Sequence, residues 1–285
     1  MFVSSPIEEI TFEGKPFFLK RDDLLDKDFS GNKARKFYYY LQHDFPSIHT
    51  LISYGSAQSN AMYSLSVLAK RKGWKFEYYV EHIASYLEEN PHGNYLGALN
   101  NGMKLCLGKP PSTLPKEVLF IDEGGRGKEA EFGIKILAQE ILAWQKENNV
   151  TKLNIFLPSG TGTTALFLQK NLQNIQVYTC PCVGNSDYLL EQFLALESNK
   201  NLHPQILSLE KKHHFGKLYK ENYVIWLKLQ AETKVKFDLL YDPLGWRTLL
   251  HHLSHFKTPI LYIHQGGLLG NESMLARYER KYSNL

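Results

Sequence analysis

Short apolar runs, each closed by glycine, proline or a polar cluster, alternate along this chain with longer stretches in which apolar residues return at helical spacing. Runs at 50–54, 75–80, 118–121, 153–157, 176–180, 205–209 and 259–264, with a shorter one at 103–107 and one beginning at Phe17, have the length and continuity of buried strands. Between them, 61–70 reads as a helix stopped at Gly73. Phe132, Ile136, Leu137, Ile141, Leu142 and Trp144 fall on one face of a long amphipathic helix, and further helices begin near Phe37, Ala165 and Tyr223. Strand, loop and helix repeated in this order predict an α/β fold with mostly parallel sheets flanked by helices on both faces.

Length and composition sharpen this picture a little. A chain of 285 residues with 43% apolar and 22% charged residues can bury a large core, in two domains or one large α/β unit. The net charge of +4 is scattered, with no long basic run and no basic helix lined by aromatics, so nucleic acid is not an expected partner. No stretch reaches the length of a membrane span and the first residues lack a signal pattern, so a cytoplasmic protein without a membrane partner is expected. Cys106, Cys180 and Cys182 are too few for a disulfide framework, and Cys180-Pro181-Cys182 is one residue short of the usual zinc spacing. His251 and His255 share a helical face but lack a third ligand, so no metal site is expected.

Candidate chemistry sits where runs end. Gly31-Asn32-Lys33-Ala34-Arg35-Lys36 places a lysine where a polar loop becomes a helix. A lysine that attacks a carbonyl must be deprotonated near neutral pH, and burial with neighbouring cations, here Arg35 and Lys36, moves it that way. Taken alone, the same residues also read as a solvated basic face. Gln58-Ser59-Asn60 follows the run at 50–54 and opens a helix, at the sheet edge where α/β proteins bind ligands, although Ser59 or Asn60 also reads as a helix cap. Pro158-Ser159-Gly160-Thr161-Gly162-Thr163-Thr164 offers amides, hydroxyls and a helix N-terminus to one point, which suits a phosphate monoester; a plain connection is the alternative. It lacks the lysine of a P-loop and the glycine spacing of a dinucleotide fingerprint. Asp122 and Glu123 read as a turn and helix cap, and Tyr38, Tyr39 and Tyr40 as a packing surface.

Taken together, the order of these loops resembles the pyridoxal-phosphate enzymes of the tryptophan-synthase-β fold type, fold type II. Within them it is most similar to the 1-aminocyclopropane-1-carboxylate deaminase and D-cysteine desulfhydrase family. The resemblance covers most of the chain and rests on Lys20-Arg21-Asp22-Asp23, Gly31-Asn32-Lys33, Gln58-Ser59-Asn60, His92-Gly93-Asn94, Glu123-Gly124-Gly125, Thr161-Gly162-Thr163-Thr164 and His264-Gln265-Gly266-Gly267. It implies that Lys33 carries pyridoxal 5'-phosphate as a Schiff base and that Asn60 bonds the phenolic oxygen of the ring. It further implies that Thr161, Gly162, Thr163 and Thr164 cradle the phosphate. Ser59 would handle protons, with Gln58 beside it and Asn60 completing the substrate pocket. Tyr241 matches an active-site tyrosine, Asp242 takes the place next to the pyridine nitrogen, and Tyr219 best matches a second tyrosine. Pro243-Leu244 follows where Gly-Lys is usual, and Gln265 stands where desulfhydrases carry threonine and deaminases leucine.

The expected architecture is a smaller α/β domain over 37–128, set into a larger one formed by 1–36 and 129–285, with the cofactor in the cleft between them. The expected activity is deamination of a small amino acid. Elimination from D-cysteine, giving pyruvate, hydrogen sulfide and ammonia, makes fewer chemical demands than opening a cyclopropane ring to give 2-oxobutyrate and ammonia. A homodimer is the implied assembly. A catalytically idle cofactor or small-ligand binder on the same fold is the alternative of another class.

Overall fold

The computed structural model describes residues 4–29, 31–211 and 213–283. The chain opens with β1 (Ile7–Phe12) and β2 (Lys15–Arg21), then α1 (Gly31–Gln42), β3 (Thr50–Tyr54), α2 (Asn60–Lys72), β4 (Lys75–Val80), α3 (Ser85–Glu89), α4 (Gly93–Asn100), β5 (Met103–Leu107) and β6 (Val118–Phe120). It continues through α5 (Ala130–Glu147), β7 (Asn154–Ser159), α6 (Thr163–Asn171), β8 (Gln176–Pro181), α7 (Ser186–Leu196), β9 (Gln205–Ile206), α8 (Lys220–Thr233), α9 (Asp242–His251), β10 (Ile260–His264) and α10 (Asn271–Lys281).

Two sheets form. Six strands pair in the order β1-β2-β10-β7-β8-β9, and four in the order β5-β4-β3-β6. Every pairing is parallel except the β1–β2 hairpin at one edge. In the larger sheet Phe156 and Tyr262 point to one face, towards Trp246 and Trp226, while Ile155, Leu157, Leu261 and Ile263 point to the other, towards Ile134, Leu137 and Leu168. Both faces are therefore covered, which is why these strands read as unbroken apolar runs. Trp246 anchors the first layer: its ring stacks on Tyr262 at 4.3 Å and meets Phe12 and Phe17 edge-on at 5.3 and 5.1 Å. The smaller sheet has its own core, from Leu51, Phe76 and Tyr78 to Met62, Leu65 and Leu68 of α2.

Several sequence expectations change at the sheet edges. The run at 118–121 is not a buried strand but the exposed edge strand β6, with Phe120 38% exposed. The run at 205–209 shortens to β9, and β1 had no apolar run to announce it, because an edge strand needs only one buried face. The buried stripe of α5 is Ala130, Ile134, Leu137, Ala138 and Ile141; Phe132 and Leu142 are exposed, since the helix turns its small residues to α1. At Gly133 a side chain would meet the Arg35 carbonyl oxygen at 2.0 Å, so only glycine permits this approach. The helix α9 ends at His251, which takes His255 off its face, and among the described residues no cluster of three metal-ligating side chains forms. No helix among them is long and apolar enough to cross a membrane.

The basic turn is not a solvated face. Arg35 is fully buried and donates to both oxygens of Asp22 at 3.0 and 2.8 Å and to both oxygens of Glu140 at 2.8 and 2.7 Å. Lys20 donates to Glu140 at 2.6 Å, and Ser5 donates to Asp22 at 2.6 Å. Two cations and two carboxylates thus clamp β2, α1 and α5 together out of water, in bidentate geometry. Burial alone would push Asp22 up; the Arg35 guanidinium reverses that and holds it below the usual carboxylate range. Arg35→Met should cost ~3–5 kcal/mol, because both carboxylates lose their main partner while staying buried. Urea unfolding is expected to show a lower midpoint with an unchanged denaturant dependence.

Candidate active site

The first turn of α1 is set by backbone contacts. Gly31 has φ of +68°, and a side chain there would meet the Gln265 carbonyl oxygen at 1.9 Å. That same oxygen accepts the Asn32 amide at 3.0 Å. The Gln265 side chain completes the join: its Oε1 accepts from Asn32 Nδ2 at 3.1 Å and its Nε2 donates to the Pro158 carbonyl at 2.6 Å. One glutamine therefore ties the lysine turn to the ends of β10 and β7.

Lys33 is half-buried, and its Nζ donates to the Gly124 carbonyl at 3.2 Å. Lys36, one turn on, lies on the same helix face; it is buried and donates to that same carbonyl at 3.1 Å and to Thr161 Oγ1 at 3.5 Å. Burial brings the Lys33 ammonium down to about 8, with Glu123 opposing. Lys36 is lowered well below its ordinary value, first by burial and then by Lys33. The cation nearest Lys33 is thus Lys36 and not Arg35, which is committed to Asp22 and Glu140, and it is burial rather than either cation that lowers Lys33.

Lys36 leads to the glycine–threonine loop. Gly162, with φ of +71°, caps α6, and the first amides of that helix have no partner within it. Thr161 and Thr163 hydroxyls lie 3.1 Å apart, and the buried Thr164 hydroxyl has no hydrogen-bond partner among the described residues. A phosphate monoester fits this set: unpaired amides, an unsatisfied hydroxyl, a helix N-terminus and a buried amine converge, next to the lysine that would hold its carbonyl end. When bound there, pyridoxal phosphate supplies an electron sink for charge developing on the substrate α-carbon.

Ser59 is the N-cap of α2: its Oγ accepts the Ala61 amide at 3.1 Å, and its hydroxyl lies by the Tyr78 phenol. Gln58 is exposed, its carbonyl held by Asn94 Nδ2 at 3.1 Å. The Asn60 amide nitrogen and Asp238 Oδ2 both lie against the Gly267 backbone, 3.4 and 3.5 Å from where a Cβ would stand. Asn60 of the smaller unit and Asp238 of the larger one therefore face a single glycine.

Tyr241 and Asp242 sit at the start of α9. The Tyr241 ring lies 3.5 Å from where a Gly160 side chain would stand, beside the threonine loop. Asp242 is buried with both oxygens engaged: Oδ1 accepts from the Tyr262 hydroxyl at 2.7 Å and Oδ2 from the Asp238 amide at 2.9 Å. Burial pushes it up, and Asp238 adds to the effect. Tyr219 is placed differently. Its ring stacks on His213 at 4.6 Å and its hydroxyl accepts from the His214 amide at 3.0 Å, while Phe215 of the same loop is the residue that meets Tyr241, at 5.2 Å. Asp122 stands at the N-cap of the 3-10 turn over 123–125, its carbonyl accepting the Gly125 amide at 2.9 Å, while its side chain makes no cap bond and accepts from the Tyr54 hydroxyl at 3.3 Å.

The site also holds residues that sequence reasoning did not assign to it. Lys36 had a signal, its spacing from Lys33 on one helix face. The Gly124 carbonyl had none. Asp238 had a weak one, an aspartate just before a tyrosine turn: its Oδ1 accepts the Leu240 amide at 2.8 Å and the Tyr241 amide.

The architecture is that of a fold type II pyridoxal-phosphate enzyme, two parallel-sheet units with the lysine and the phosphate-type cradle where they meet. No family model matches the chain. D-cysteine desulfhydrase of Serratia proteamaculans is 23% identical over 301 residues, spanning 93% of this chain and 91% of the relative. Among solved structures, an ACC deaminase homologue superposes with a TM-score of 0.77 at 20% identity, over 96% of this chain and 94% of the other. The processed form of threonine deaminase isoform 2 from Solanum lycopersicum gives 0.68 at 12% identity, over 100% and 89%. The chain is thus similar over nearly its whole length to a D-cysteine desulfhydrase and shares its fold with solved deaminases, in line with the resemblance of its motifs.

Burial raises the Asp238 carboxyl to about 7 from an ordinary 3.8, against the pull of the Tyr241 and Leu240 amides. The native state holds that proton across the interval between these values. Its contribution to stability is therefore full below about pH 4 and is lost as pH rises through about 7. Asp238→Asn keeps an acceptor for the two amides and removes the titration. Urea midpoints across this range are expected to fall with pH in the parent protein and to fall less in the variant. Gly31→Ala should cost at least ~1–3 kcal/mol by the same measurement, through strain at positive φ and the displaced Gln265 carbonyl.

Proposed function

We propose that this protein is a pyridoxal-phosphate-dependent lyase that deaminates a small amino acid, by α,β-elimination from D-cysteine to pyruvate, hydrogen sulfide and ammonia. The observation that carries this reading is the Lys33 amine, brought to about 8 by burial and set beside the Lys36–Thr164 cradle. The similarity to D-cysteine desulfhydrase over nearly the whole chain supports the substrate.

Each residue has a task that its surroundings suit. Lys33 Nζ, whose proton burial makes easier to lose, takes the proton from the substrate α-carbon once it is deprotonated. Lys36 and the amides and hydroxyls from Thr161 to Thr164 bind the dianionic phosphate. The Ser59 hydroxyl, fixed by its cap bond to Ala61, donates towards the substrate carboxylate beside Gln58. Asn60 offers an amide to the ring oxygen, and Tyr241 closes the pocket next to Gly160. Elimination fits this set better than ring opening. Ring opening needs nucleophilic or acid assistance at a carbon without an α-hydrogen, whereas elimination needs only α-proton removal and a good leaving group.

Incubation of the cofactor-loaded protein with D-cysteine and, separately, with 1-aminocyclopropane-1-carboxylate tests the assignment. Sulfide and pyruvate from the first without 2-oxobutyrate from the second is the expected result. The reverse pattern assigns ring opening, and no turnover of either, with cofactor absorbance intact, assigns an idle binder. Lys33→Ala should lower elimination by ~10²–10⁴-fold, the scale of a lost general base.

A further inference from the structure

Beside the cleft, at the carboxyl ends of β3, β4, β5 and β6, lies a cavity of about 890 Å³. None of the residues assigned to the cofactor, Lys33, Asn60, Thr161 to Thr164 or Asp242, lines it, so it is not the cofactor's own space. Its inner wall is nevertheless shared with the site. Gly55, Gln58 and Glu123 line it, and Glu123 precedes the Gly124 carbonyl that holds Lys33 and Lys36. A side chain on Gly55 would meet the Tyr78 hydroxyl at 2.7 Å and Glu123 Oε1 at 2.9 Å, so glycine lets this shared wall pack closely.

The outer wall is largely apolar and aromatic: Tyr54, Tyr79, Phe120, Ala84, Pro111 and Leu114. Tyr54 and Phe120 stack at 5.9 Å with 16° between their planes, which presents a flat face, and Phe120 is 38% exposed. Glu81, His82 and Lys109 add charges of both signs, which select no ionic group. Sites that enclose drug-sized ligands run to ~300–1,000 Å³, and this volume lies near the top of that range. A molecule of the size of cysteine would leave most of it to water.

We infer that this cavity receives a bulky apolar or aromatic group carried on the sulfur of the substrate, so that the preferred substrate class is a cysteine S-conjugate. The inference rests on the lyase reading above and extends it to the leaving group. In the elimination the α-carbon–hydrogen bond breaks and its proton goes to Lys33 Nζ. The electron pair forms the carbon–carbon double bond as the carbon–sulfur bond breaks, and sulfur leaves with its pair to be protonated. The aminoacrylate released takes up water and yields pyruvate and ammonia. The balance is R–S–CH2–CH(NH2)–COOH + H2O → R–SH + CH3–CO–COOH + NH3, with no oxidant or reductant.

S-benzylcysteine and cysteine, each as both enantiomers, are the probes. The parent protein is expected to release benzyl thiol with a kcat/KM at least about tenfold above that for sulfide release from cysteine of the same hand, the scale of a filled apolar pocket. Calorimetric titration of the cofactor-free protein should give S-benzylcysteine a correspondingly lower Kd than cysteine. Leu114→Trp and Ala84→Trp, which fill the cavity from two segments and touch none of the residues assigned to chemistry, should remove both advantages and leave cysteine turnover unchanged. Cysteine turnover with no processing or tighter binding of S-benzylcysteine overturns the inference and leaves the lyase reading standing. An equal loss on both substrates in both variants also overturns it. No turnover of either compound by the parent protein sinks the lyase reading, and the inference with it.

Discussion

Two lysine amines competing for one carbonyl oxygen, away from water, is the constraint on which the rest of the site depends. Lys33 and Lys36 both reach Gly124, at 3.2 and 3.1 Å, and among the described residues neither has a carboxylate hydrogen-bonded to it. Two ammonium groups so placed repel each other, and burial penalises both, Lys36 the more strongly. An anion bound at the head of α6 would act first on Lys36, the amine that reaches Thr161, and favour its protonated form, which would leave Lys33 as the base.

That arrangement requires α1 to be rigid and the other cation of the turn to be neutralised elsewhere. The Arg35, Asp22, Glu140 and Lys20 cluster does both. It pins α1 to β2 and α5 through charge-assisted bonds, and it removes a third positive charge from the cleft. Opposite it, Gln265 fixes the first turn through Asn32 and Gly31. The lysine is held between an ionic clamp and a polar latch, so its position does not depend on its own bonds.

The fold was most legible in the interior strands. Runs such as 50–54 and 75–80 correspond residue for residue to β3 and β4, which are paired on both sides in the four-stranded sheet. Edge strands β1, β6 and β9 were lost or mis-sized because one face or one side is wet. Local motifs at Lys33, Ser59 and Thr161 marked the loops that meet at the cleft, since backbone-determined features such as caps and glycine turns leave a local signature. Partners distant in sequence left none. Nothing near Arg35 announces Glu140, and the carbonyl of Gly124 is chemically anonymous in a sequence. Tyr219 shows the limit of motif matching: its ring stacks on His213, and it is Phe215 of the same loop that meets Tyr241.

The central claim, that Lys33 and not its neighbour Lys36 is the reactive amine, is open to a direct chemical measurement. The protein is incubated with pyridoxal phosphate, reduced with borohydride, digested and mapped by mass spectrometry. A phosphopyridoxyl group confined to Lys33 is the predicted result. Label on Lys36, or spread over surface lysines with Lys33 unmodified, would contradict the account.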